Sequence, residues 1–298
     1  MKLDLKTRKI LIFLVSYTVW TTLFQWLGQA LITYFMRQSG SSIHEISDVF
    51  ASNAIILASI GSAAYLFLLT RIPPYATTEL DNFLPKLEFE KNFVPGFLRG
   101  SATALIFVMV FVVIGLYRYL GSLVSFDEAY VSLFNVVLRL IALLILVYCE
   151  EFFFREKLLQ IFLGRYSAIG ASIICSLLFS SVKEIQFDLG ARQFLTVFLI
   201  SYSLSLRAIS KKSFIFSAGI LSGFLIVLHA VMSLPVYGNE FQGIFLIQYR
   251  VSPADDTEWL RYFTGGPSGP MSSVAFQIIL LFDAIKRSRP LIAAQSSK

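Results

Sequence analysis

The chain has 298 residues, 56% of them hydrophobic and only 15% charged, against roughly 25% charged in an ordinary soluble domain. A soluble protein of this length would still need polar outer faces on its helices, and many segments here are apolar all round. The net charge of +6 does not point to nucleic acid, because Lys and Arg fall in short groups between apolar runs and not along one polar face.

About 20 apolar residues cross the hydrocarbon layer as a helix. On that criterion the chain is an all-α, polytopic transmembrane helical bundle of about eight spans, at 10–36, 52–70, 101–120, 130–164, 166–183, 192–209, 213–235 and 272–285. The first run follows Lys2, Lys6, Arg8 and Lys9 but lacks a small-residue cleavage site, so it reads as an uncleaved span. Between spans two and three, 71–99 is a surface segment broken by Pro73, Pro74, Pro85 and Pro95, with part of it expected as an interfacial helix. The fourth span is too long for a simple crossing and should project beyond the bilayer. Residues 237–271, with Asp255, Asp256, Glu258 and a Gly/Pro-rich stretch at 265–270, form the longest polar loop.

No internal repeat or second soluble domain is visible, so 1–298 is expected to be one transmembrane domain. Most of the 25 Lys and Arg lie on one side of it if the N-terminus is inside, which predicts cytoplasmic termini and an exterior 237–271 loop. Cys149 and Cys175 lie in apolar segments without metal-ligand spacing and read as core residues. No metal or cofactor is expected.

Ionisable groups inside a membrane are costly and mark function. Span four holds Glu150, Glu151 and Arg155, span five ends with Phe179, Lys183 and Glu184, and span seven holds His229 and Ser233. Glu151 and Arg155, four apart with the acid first, form a favourable helical pair. Glu150 lies about 100° round the helix, which leaves it free; a desolvated free carboxylate suits a general base. The competing reading is that both acids are solvated at the start of a cytoplasmic helix extension, since charge runs are usually solvated faces. Counting about 1.5 Å per residue from the helix ends sets Glu150, Lys183 and His229 at one depth, nearer the exterior face, and argues for burial. His229 and Ser233, four apart, are expected on one face of span seven, as oxyanion donors or as a structurally satisfied histidine and its neighbour.

Together these residues resemble the CPBP family (CAAX protease and bacteriocin-processing) of intramembrane glutamic endopeptidases. The first motif, Glu-Glu-x-x-x-Arg, is intact at Glu150, Glu151 and Arg155; the second, Phe-x-x-x-His, has Phe179 but Lys183 at the histidine; the third, His-x-x-x-Asn, has His229 with Ser233. The resemblance covers about 130–235 and makes that stretch the motif-bearing catalytic core. It implies a metal-independent protease in which Glu150 activates water, Glu151 and Arg155 support it, and His229 with Ser233 stabilises the oxyanion. The implied partner is a membrane-associated protein or peptide substrate, in the plasma (inner) membrane of a bacterium.

Lys183 has three possible placements. As an ammonium beside Glu150 it weakens the base; as a neutral amine it replaces the histidine; snorkelling outward it leaves the site to Glu150 and His229. The first placement favours a different class of function, a non-catalytic relative that binds a peptide or partner. A transporter fits less well, because paired Gly/Pro-broken helices are not seen.

Overall fold

The computed structural model describes residues 5–40, 42–71, 89–122, 129–239, 243–250 and 256–296. Each expected span contains a helix. They are α1 (Leu5–Gln38), α2 (Ile43–Arg71), α3 (Val94–Val113), α4 (Ala129–Glu151), α5 (Ala168–Phe187), α6 (Gly190–Lys211), α7 (Phe214–Ile226) and, after a short α8 (Glu258–Thr264), α9 (Val274–Ser296). Five continuous helical stretches among the described residues are long and apolar enough to cross a membrane: Lys91–Val113, Leu133–Leu163, Ala168–Phe187, Gly190–Lys211 and Phe214–Val231. Large apolar side chains such as Trp26, Val113, Phe134 and Phe282 face outward, where lipid is their solvent. The eight-span expectation is compatible with this bundle.

The expected third span at 101–120 is displaced. Its helix begins at Val94 and stops at Val113, because Gly115 takes a left-handed φ of +81° that an L side chain resists. The chain then forms strand β1 (Tyr117–Ser122), which pairs antiparallel with β2 (Phe245–Tyr249) of the long loop. This two-stranded sheet departs from an all-helical architecture. Of the interfacial segment expected in 71–99, residues 72–88 lie outside the described residues; Phe89–Phe93 is a π-helical turn leading into α3.

The described residues of the long loop are anchored. Ile244 N–H donates to Ala230 O at 3.0 Å, Tyr117 Oη donates to Thr264 O at 3.0 Å, and Arg261 grips Asp256 through Nε and Nη2. Asp256 is held below the usual carboxylate range by its hydrogen bonds from Arg261 and Tyr249.

Helices α3 and α7 meet backbone to backbone. A β-carbon at Gly96 would stand 2.4 Å from Phe216 O and one at Gly100 1.9 Å from Ile220 O; reciprocally, Gly219 would meet Phe93 O at 2.3 Å and Gly223 would meet Phe97 O at 2.1 Å. Each helix thus presents a Gly-x-x-x-Gly pair to the other, the small-residue spacing that lets membrane helices approach without a hydrophobic driving force. At the other side of the bundle α1 and α2 are joined by polar contacts, Tyr17 Oη to Ser62 Oγ at 3.0 Å and Trp20 Nε1 to Gly61 O at 3.0 Å. Thr21 extends this link to Gln186 of α5 at 2.9 Å.

Candidate active site

Helix α4 runs without a break into a π-helical segment, Phe152–Leu158, and a final α turn, Leu159–Leu163. Leu159 N–H donates to Phe154 O, the i to i−5 bond of a π-helix. That carbonyl also accepts from the Cys175 thiol of α5 at 3.2 Å. A second π segment, Val227–Val231, closes α7, with Met232 N–H on Val227 O at 3.0 Å. Arg155 sits in the first and His229 in the second, and single-turn π segments are characteristically found at functional sites.

The acids are buried, not solvated: Glu150 is 1% exposed and Glu151 0%. Glu151 pairs with Arg155 Nη1 at 3.0 Å, as the i,i+4 spacing requires. Arg155 Nη2 also donates to Ser201 Oγ of α6 at 2.8 Å. Its guanidinium stands 4.5 Å from the Phe179 ring centroid of α5, and Ser217 of α7 lies beside the Glu151 carboxylate. One ion pair therefore ties four helices together.

Glu150 is not the free carboxylate that the spacing suggests. Its Oε1 accepts from Lys183 Nζ of α5, a partner that no pattern within α4 could reveal. Lys183 is 1% exposed, so it does not snorkel outward; α5 continues for a turn beyond it to Phe187. Its Nζ is boxed by aromatic rings, with centroids at 4.6 Å for Tyr237, 4.9 Å for Phe187 and 5.7 Å for Phe179. The faces of such rings attract a cation. Glu150 Oε2 is buried and has no hydrogen-bond partner among the described residues.

His229 is fully buried, on a segment that packs against α3 and α4. The charged group acting on it is Arg139, about three helical turns before Glu150 on α4. Ser233 does not share a helical face with His229. The helix ends at Val231, and Ser233 has a left-handed φ of +56°. Its Oγ donates to Phe245 O at 2.8 Å and accepts from Gly243 N–H at 2.8 Å, so it pins the long loop to the end of α7.

The sequence alone did not single out Tyr17, Tyr237, Ser201 or Ser217. Tyr17 and Tyr237 are buried within the electrostatic reach of Glu150. The only available signal was a polar group among apolar neighbours, which marks many structural residues as well.

Residues 132–234, from the start of α4 to just past α7, match the family model described as Rce1-like: Type II CAAX prenyl endopeptidase Rce1-like. No curated protein and no solved structure matches the chain. The matched stretch holds Glu150, Glu151, Arg155, Lys183, His229 and Ser233. This protein is accordingly a multi-pass membrane protein whose residues 132–234 are similar to the Rce1-like family of CAAX-type endopeptidases.

Proposed function

We propose that this protein is an intramembrane endopeptidase in which Glu150 activates water against a peptide bond of a membrane-associated protein. The observation that carries the reading is the split role of the Glu150 carboxylate. Oε1 is taken by Lys183, whereas Oε2 is buried without a partner among the described residues. A buried acceptor left unsatisfied is costly, and a water donating to Oε2 would supply the missing bond. That water's oxygen attacks the scissile carbonyl carbon, its proton passes to Oε2, and the proton then goes to the leaving amine as the C–N bond breaks.

In this mechanism Lys183 orients the carboxylate through Oε1, and the aromatic rings around its Nζ suit its ammonium form. The Glu151–Arg155 pair fixes the turn that carries Glu150. His229 is the candidate oxyanion donor; the Ser233 hydroxyl proton is committed to Phe245 O, so Ser233 serves by holding the loop. Substrate enters from the face covered by the 237–271 loop, which we assign to the exterior of a bacterial plasma membrane with both termini cytoplasmic, as the distribution of Lys and Arg suggests.

A second reading has its own observation. Lys183 Nζ occupies Glu150 Oε1 as an ion-pair partner, as would suit a non-catalytic relative that binds a peptide or partner protein on the same scaffold. The purified chain, incubated with membrane-anchored peptides, separates the two. The protease reading expects cleavage by the wild type that disappears in Glu150→Ala. Cleavage that survives Glu150→Ala sinks the mechanism, and cleavage that appears only in Lys183→His supports the binding role.

A further inference from the structure

Away from Glu150, a second charged cluster lies at the end of the bundle where α3 and α7 begin and α6 ends. Asp283 of α9 is at its centre. Its Oδ2 accepts from Ser203 Oγ, from Arg207 Nη2 at 3.0 Å and from Arg287 Nε at 2.9 Å, and its Oδ1 lies 3.0 Å from the same Nε. The carboxylate is therefore fully engaged by two arginines and a serine.

Two more cations stand nearby. Arg99 of α3 and Lys211 of α6 each place their charge 5.7 Å from the centroid of one Phe216 ring, hence within twice that distance of each other. Among the described residues neither has an ion-pair partner. Arg99 and Arg287 both bear electrostatically on Arg207. Four cations thus share this end of the bundle with one carboxylate whose oxygens are already used.

The turn between α6 and α7 adds an unsatisfied donor. Ser213 occupies the N-cap position of the 13-residue α7, is 8% exposed, and among the described residues its Oγ neither caps the helix nor finds another partner. The positive end of the α7 dipole is left open there. Beside Arg99 an apolar strip of α3 faces outward, with Leu98 62% and Ile106 64% exposed and Leu105 and Met109 between and beyond them. Phosphate alone would have no use for that strip, whereas an acyl chain would.

We infer that Arg99, Arg207, Lys211 and Arg287 hold the phosphate of an anionic phospholipid, with its acyl chain along the outer face of α3. Basic pockets between membrane helices bind such headgroups through charge-assisted hydrogen bonds. The assignment is independent of whether Glu150 cleaves anything.

The test reconstitutes the full chain in nanodiscs with equimolar phosphatidylcholine and phosphatidylglycerol, extracts it with mild detergent, and quantifies the lipid that stays bound. Phosphatidylglycerol should be enriched several-fold on the wild type. The Arg99→Gln, Lys211→Gln double variant, which leaves the Asp283 contacts intact, should bind roughly tenfold less of it. Lys286→Gln with Arg289→Gln removes the same amount of charge from α9, which carries Arg287, and should retain the enrichment. Equal retention of the two lipids by the wild type, or equal loss in both double variants, overturns the site. In lipid-free detergent, stabilisation by inorganic phosphate alone that matches stabilisation by phosphatidylglycerol overturns the assignment to a lipid.

Discussion

Lys183 holds its Nζ 4.6 Å from the centroid of the Tyr237 ring, so the chain just after α7 covers the ion pair that α4 makes with α5. Tyr237 is itself stacked on Phe187, with centroids 5.3 Å apart and planes 19° from parallel. The ring face is what the ammonium meets. Tyr237→Phe keeps that face, and Tyr237→Leu removes it at a cost of about 0.5–2 kcal/mol. Thermal unfolding in detergent should therefore rank wild type and Phe together, with Leu lower. A Phe variant as unstable as Leu would show that the hydroxyl, not the ring, is what matters.

Lys183 and Glu150 should behave as a coupled unit. Lys183→Met leaves a buried carboxylate without its cation, a loss of about 3–5 kcal/mol. Glu150→Gln made in the same chain should recover most of that loss, because no unpaired charge remains. A double-mutant cycle read by chemical or thermal unfolding measures the coupling, and strictly additive losses would mean that the two groups are not in contact in the folded protein.

The α3–α7 contact makes a steric prediction. A β-carbon at Gly100 would meet Ile220 O at 1.9 Å, while one at Gly164 would have only an ordinary contact of 3.5 Å. Gly100→Ala must push two backbones apart and should cost about 1–3 kcal/mol or more. Gly164→Ala should be close to neutral. Because α7 carries His229, any cleavage activity should fall with Gly100→Ala and persist in Gly164→Ala, measured on equal amounts of monodisperse protein.

Opposite ends of the bundle should label from opposite sides. Cys149 and Cys175 are buried and give a low background. Trp259 on α8 is 70% exposed, and Ser210 near the end of α6 is exposed. In intact cells an impermeant thiol reagent should modify a cysteine placed at Trp259 and reach one placed at Ser210 only after permeabilisation. The reverse pattern would invert the proposed topology and with it the face from which substrate arrives.

Local features were legible from the sequence by itself. Every expected membrane run contains a helix, because a run of apolar residues must satisfy its backbone internally wherever lipid replaces water. The Glu151–Arg155 pair was legible for the same reason, since i,i+4 neighbours meet on any helix. Tertiary structure decided the rest. It gave Glu150 a partner on another helix, took Ser233 off the helix into a left-handed turn, and drew β1 out of the expected third span to pair with β2. The Gly-x-x-x-Gly spacings of α3 and α7 were present in the sequence, but spacing within one helix does not say which helix it faces. Lys183 is the clearest instance: its residue type and position were plain, yet its role depends on a carboxylate 33 positions away in the chain, and only packing could bring the two together.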